Sequence, residues 1–182
     1  MAYVDRPVVE FFDAHVRHTN LWIYLDWLVH PFQYLLVVAL FFLFGCGARL
    51  ISGHVLPEWT RIPLLCSWSL MWGLGTELLF KAIFGRIGPD PGYVRDHFYY
   101  FRLLHGDPIG SAFPSGHSIG ATEIAAVLWN TAPRLRIVSA LLAAAMLIVL
   151  AVDNFHWVSD IIAGAFIGTT IGWMTATFPT NR

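Results

Sequence analysis

Residues 27–48, WLVHPFQYLLVVALFFLFGCGA, and residues 161–181, IIAGAFIGTTIGWMTATFPTN, contain no Asp, Glu, Lys or Arg. Each stretch is long enough to cross the roughly 30 Å hydrocarbon core of a bilayer. The rest of the chain has the same character. Of 182 residues, 57% are hydrophobic and 15% aromatic, and only 13% are charged, against about 25% in an ordinary soluble domain. This composition excludes a soluble monomer and predicts an all-α integral membrane protein, a single membrane domain over residues 1–182. Eleven basic and twelve acidic residues give a net charge of -1. That balance leaves no basic surface to hold nucleic acid by counterion release. Cys46 and Cys66 lie in apolar runs, where cysteine behaves as a small hydrophobe, and they say nothing about compartment.

Working outward, residues 1–30 mix Asp5, Glu10 and Asp13 with Phe11, Phe12, Trp22 and Trp27. This pattern predicts a helical segment lying in the headgroup region rather than crossing. Its acidic start is unlike the basic start of a cleavable signal peptide, so the N-terminus is expected to be retained. About five spans are expected: Pro31 to Ala48, Ile62 to Phe84, Ser115 to the residue before Pro133, Arg136 to Val152, and Trp157 to Phe178. Residues 85–114, rich in Gly, Pro, Tyr and Arg, form a long polar loop, and long loops in compact proteins tend to be functional. Five crossings put the N-terminus, that loop and the turn at 153–156 on one side. Six basic residues fall on that side and five on the other, so charge counting does not orient the chain. Gly164, Gly168 and Gly172 recur every fourth residue and predict a helix-packing face.

Polar groups in a membrane span are costly, so each demands a reason. Lys81 ends the second span with Glu77 one turn earlier; alone it reads as a snorkelling anchor. Phe113, Pro114, Ser115, Gly116 and His117 stand where the loop turns into the third span. A helix start offers free N–H groups and a positive dipole end, so Ser115 and the following amides suit an anion, although serine also caps helices with no ligand. His117 is positioned to give a proton to a leaving group. His156 and Asp160 are one turn apart, a spacing at which the carboxylate can fix the histidine's tautomer. The predicted topology gathers all three clusters on one membrane face. A lysine, a helix start, two histidines and a carboxylate suit phosphate ester cleavage through a phosphohistidine.

These residues resemble the type-2 phosphatidic acid phosphatase superfamily, whose signature is Lys-x6-Arg-Pro, Pro-Ser-Gly-His and Ser-Arg-x5-His-x3-Asp. Pro114 to His117 complete the middle motif, Lys81 and Pro89 match the first, and His156 and Asp160 match the third. The resemblance covers residues 75 to 170. It implies a metal-independent helical bundle with no cofactor, in which His156 attacks phosphorus, Asp160 orients it and His117 protonates the leaving group. Lys81, Ser115 and Gly116 would hold phosphate oxygens. Two arginines of the signature are absent: Gly88 and Leu150 stand in their positions, and Val149 replaces the usual serine. Arg86 is the nearest substitute cation, with Arg95 and Arg102 farther along the loop.

Two functions compete. One is a membrane phosphatase or phosphotransferase acting on a lipid-borne phosphate monoester or diphosphate, with the site facing the periplasm of a bacterial inner membrane. The other is a catalytically impaired relative that binds a lipid or anion, or serves as a structural subunit of a membrane complex. Retention of both histidines, Asp160 and Lys81 favours the first. The sequence leaves open the identity of the lipid and any homo-oligomer.

Overall fold

The computed structural model describes residues 2–104 and 111–177. Among them the helices are α1 (Ala2–His15), α2 (Asn20–Val29), α3 (Tyr34–Ile51), α4 (Arg61–Ile83), the single turn α5 (Val94–Asp96), α6 (Gly116–Thr131), α7 (Arg136–Val152) and α8 (Val158–Thr177). The long loop is partly structured. Strands β1 (Phe84–Arg86) and β2 (Phe101–Leu103) pair antiparallel with Gly85 opposite Arg102. Residues 105–110 of that loop, and Phe178 at the end of the expected last span, lie outside the described residues.

Among the described residues four runs are long and apolar enough to cross a membrane: Asn20–Ile51, Glu58–Ile83, Pro133–Val152 and Val158–Thr177. The first of these runs joins α2, from the expected interfacial segment, to α3. Proline has no N–H for an α-helical ladder. The chain passes Pro31 as a 3-10 turn over His30–Gln33 and continues into α3. Val29 at the end of α2 is fully buried against Val149, Leu150 and Ile161.

The fifth helix of the bundle is α6, and it is the shortest of the five. Its 16 residues rise about 24 Å. It sits at the centre, packed by α4, α7 and α8, with Ile119, Ala126 and Val127 buried. The glycine face of α8 explains this placement. A methyl group on Gly164 would meet the Ser115 carbonyl at 2.5 Å and Ser118 Cβ at 2.9 Å, and one on Gly172 would meet Ala126 Cβ at 2.9 Å. Small residues let the two backbones approach closely, which supplies dispersion contacts where lipid offers no hydrophobic driving force. The stripe read as a packing face from sequence is therefore the seam against α6.

Gly168 lies in the middle of this seam, against the Ile119 carbonyl and Thr122 Oγ1. Gly168→Leu is expected to force α8 off α6 and cost at least about 1–3 kcal/mol. Gly75→Leu, where nothing lies within 4 Å of a new Cβ, should leave stability nearly unchanged. Thermal unfolding of both variants in one detergent checks the contrast.

Candidate active site

Ser115 caps the start of α6. Ser115 has extended backbone angles (φ -70°, ψ 113°), and its hydroxyl accepts from the Ser118 N–H. The Ser118 hydroxyl donates to Ser115 Oγ at 3.0 Å, and the Ser115 N–H donates to the Asp160 carbonyl at 3.2 Å. Ser115 is fully buried, and the seam against α8 keeps it so. The capping role foreseen for this serine is thus present alongside any ligand role.

Two histidines meet beside that helix start. The ring centroids of His117 and His156 are 6.3 Å apart, and Phe32 and Phe155 pack on His117 at 5.8 and 5.3 Å. His156 comes from the turn between α7 and α8, where Asn154 takes a left-handed conformation at φ 54°. The ring of His156 is hydrogen-bonded to the Ala112 backbone, while its Nδ1 is buried with no hydrogen-bond partner among the described residues. Burial, followed by the neighbouring His117 and Lys81, pushes its pKa down to about 3 from the ordinary 6.5. The imidazole is therefore neutral at physiological pH with a bare ring nitrogen, the form in which histidine is a nucleophile.

Lys81 ends α4 on the same side. Its ammonium is bonded to Glu77 Oε1 at 2.7 Å, both side chains being largely buried. The Glu77 carboxylate lies so close to Gly116 that any Cβ there would overlap it. A carboxylate and its lysine thus already stand at the anion-seeking end of α6. Sequence reasoning noted Glu77 without giving it this position.

Arg86 and Asp160 behave differently from expectation. Among the described residues no hydrogen bond joins Asp160 to His156. The Asp160 carboxylate accepts from the Arg86 guanidinium and from the Trp157 N–H at 3.3 Å, so it caps the start of α8 and neutralises an arginine. Arg86 in turn is not free for a phosphate. Its Nη2 donates to Asp5 Oδ2 at 2.6 Å and to the Tyr99 hydroxyl at 3.0 Å, and its Nη1 donates to Ser159 Oγ at 2.7 Å. The physical reason is charge. A buried guanidinium takes the nearest carboxylates, and here two are in reach. Burial works against the charge of Arg86, but Asp160 and Asp5 outweigh it and raise its pKa above the ordinary arginine value. The guanidinium also lies over the Trp157 ring at 5.2 Å.

Asp5 is the participant that sequence reasoning missed. It is 1% exposed, and its Oδ1 accepts the Ser159 N–H at 3.0 Å. Around it α1 is fastened across this end of the bundle: Asn154 Nδ2 donates to the Val9 carbonyl at 3.1 Å, the Tyr93 hydroxyl to Glu10 at 2.6 Å and Arg17 to Asp90 at 2.9 Å. Asp5 and Val9 are one helical turn apart, and both are buried, so α1 presents a face that carries an acid inward.

Arg86→Ala is expected to leave Asp5 and Asp160 buried without their cation and to cost about 3–5 kcal/mol. Asp5→Asn should cost less, because Asp160 still neutralises the arginine. Denaturation midpoints of the two variants in mild detergent check the order.

Residues 63–182 match the PAP2 superfamily. Neither the curated proteins nor the solved structures contain a match to the chain. The matched region begins within α4 and takes in Lys81, Arg86, the Ser115–Gly116–His117 helix start, His156 and Asp160, and it leaves out α1, whose Asp5 completes the arginine cluster. With more than half of its length matched, the chain belongs to the PAP2 superfamily.

Proposed function

We propose that this protein is an integral membrane phosphatase or phosphotransferase that acts on a lipid-borne phosphate monoester or diphosphate through a phosphohistidine on His156. The observation that carries the reading is the bare, buried Nδ1 of His156 beside His117 at the start of α6. In the proposed step, a His156 ring nitrogen forms a bond to phosphorus as the bond from phosphorus to the lipid oxygen breaks. His117 gives its proton to that departing oxygen. Water, or an acceptor hydroxyl in a transferase, then attacks the phosphohistidine, loses its proton to His117 and restores His156. Ser115, Gly116 and Lys81 would hold the phosphate oxygens, Lys81 leaving Glu77 to do so. Arg86 is assigned to positioning, since both of its Nη groups are occupied by Asp5, Asp160, Ser159 and Tyr99. The family resemblance supports metal independence and a bacterial inner-membrane location with the site toward the periplasm. Labelling from outside intact cells of a cysteine at Leu104, in a protein with Cys46 and Cys66 replaced, tests that side.

One observation favours the second reading, a lipid- or anion-binding or structural relative without turnover. Both cations of the site already have carboxylate partners, Lys81 in Glu77 and Arg86 in Asp5 and Asp160. The two absent arginines fall in unlike surroundings. A Cβ on Gly88 would have only ordinary contacts at 3.7 Å. Leu150 is fully buried in an apolar cluster, and its carbonyl accepts the Phe155 and His156 N–H groups.

His156→Ala is expected to abolish phosphate release from a panel of lipid phosphates assayed without added metal, while the protein stays folded in detergent. Vanadate should inhibit the wild type as a mimic of five-coordinate phosphorus, and EDTA should not. Undiminished release by His156→Ala would end the enzyme reading.

Gly88→Arg separates the two readings. It is expected to fold and to raise turnover about 10- to 100-fold, the worth of one arginine contact to an anionic oxygen at about 1.5–3 kcal/mol. Leu150→Arg should instead unfold the turn that carries His156. Phosphate release and thermal stability measured side by side check both expectations, and no phosphate release from either the wild type or Gly88→Arg would favour the binding reading.

A further inference from the structure

A cavity of about 230 Å³ lies between α3, α4 and α6. It starts at the active-site end, against Glu77, Gly116 and His117, and follows α6 past Gly120 to Glu123. Gly116 and Glu123 are seven residues apart on one helix face, so the far end lies about 10 Å below the helix start. Its walls are otherwise apolar, with Phe32 and Leu70 both beside Gly120. A volume below the roughly 300–1,000 Å³ of whole-ligand pockets suits one segment of chain. Because its upper lining is the proposed catalytic end, the occupant that fits is the part of the substrate that follows the phosphate.

Glu123 is the anomaly in this cavity. It is 1% exposed, and no ion pair with it exists among the described residues. Its hydrogen bond is from Ser69 Oγ to Oε2 at 3.2 Å. On the other side Gly73 leaves the carboxyl its space, since a Cβ there would stand within 2.6 Å of Oε1. A carboxyl held at this depth by one neutral hydroxyl has capacity for another hydrogen bond, and the cavity is where a partner can arrive.

We propose that Glu123 selects the substrate by hydrogen-bonding a hydroxyl group carried on the lipid chain about 10 Å below its phosphate. The inference rests on the reading of the His117–His156 end as the phosphate site. It makes the substrate class a lipid phosphate with a hydroxylated chain. A plain hydrocarbon chain fills the same cavity but leaves the carboxyl short of a partner. Sites built to bond a substrate hydroxyl reject the analogue that lacks it for this reason.

The test uses two synthetic diacyl lipid phosphates of equal chain length, one with a hydroxyl on an acyl chain at the matching depth and one without. Binding is read by thermal shift in detergent on His156→Ala, which holds lipid without turnover, and kcat/KM is read on the wild type. The hydroxylated lipid is expected to bind about 10- to 100-fold tighter, the cost of one unsatisfied buried polar group, with the gain in KM rather than kcat. Glu123→Gln should keep the preference and Glu123→Leu should lose it by accepting the plain lipid. Should Glu123→Leu fail to fold, the wild-type and Glu123→Gln comparisons still decide. Equal affinity for the two lipids, or no binding of the hydroxylated one, overturns the proposal. Phosphate release with no preference removes the role of Glu123 and leaves the phosphatase standing. A binding preference with no phosphate release keeps Glu123 and removes the phosphatase.

Discussion

A buried guanidinium is the constraint around which this end of the molecule is arranged. Arg86 is 3% exposed. Taking such a charge out of water costs several kcal/mol unless its partners are close and well directed. The partners come from far apart in the chain: Asp5 on α1, Tyr99 in the loop, and Ser159 with Asp160 at the start of α8. The ribbon strand that carries Arg86 is held in turn by Ser111, whose hydroxyl accepts the Arg86 N–H at 3.1 Å and donates to the Phe84 carbonyl at 2.5 Å. One cation therefore fixes α1, the loop and the first turn of α8 together, and the turn that carries His156 runs directly into that fixed segment.

The same cluster explains why Asp160 is free of His156. A carboxylate accepts most strongly from an ionised donor, and a guanidinium in contact outcompetes a neutral imidazole. His156 is held by its surroundings instead: its N–H donates to the Leu150 carbonyl at 3.4 Å, the left-handed Asn154 turns the chain toward α6, and Trp157 is pinned by its indole N–H donating to the Ile87 carbonyl at 2.8 Å. The ring itself bonds the Ala112 backbone, so its contacts here are with packing and backbone rather than with the carboxylate one turn on.

Legibility in the sequence followed the range of each interaction. The uncharged stretches and the four-residue glycine period are local signals, and they yielded the helical membrane fold and the seam of α8 with reasonable boundaries. The cap at Ser115 and the company of His117 with His156 were also readable, because motif spacing and topology together put them on one face. At Pro31 the sequence shows a break in the helical ladder, and the structure fills it with a 3-10 turn that joins α2 to α3. Asp5 was illegible because of range. Its partner lies 81 residues away, and nothing in the composition of α1 distinguishes an acid aimed at a buried arginine from one facing solvent. Glu123 was overlooked because a single acid in an apolar helix carries no spacing pattern.

The charge arrangement bears on how a phosphate could be received. Near the helix start, Lys81 and Glu77 cancel, and Arg86 is outnumbered by Asp5 and Asp160, while His156 stays neutral. Apart from the proton that His117 carries in the proposed step, the cluster offers no net positive charge from its side chains, and the remaining attraction for an anion is the dipole and the free N–H groups of α6. A phosphate arriving there meets the Glu77 carboxylate over Gly116, and two anions cannot share Lys81 at that distance without a large repulsion in a partly buried site. Under the proposed reaction, binding is thus an exchange: either the phosphate takes Lys81 and Glu77 swings toward the cavity, or a proton is shared between the two. Both routes favour a substrate with little surplus negative charge. An arginine at position 88 would relax this requirement, which ties the departure from the family signature to the ionisation state of the phosphate that the site can accept.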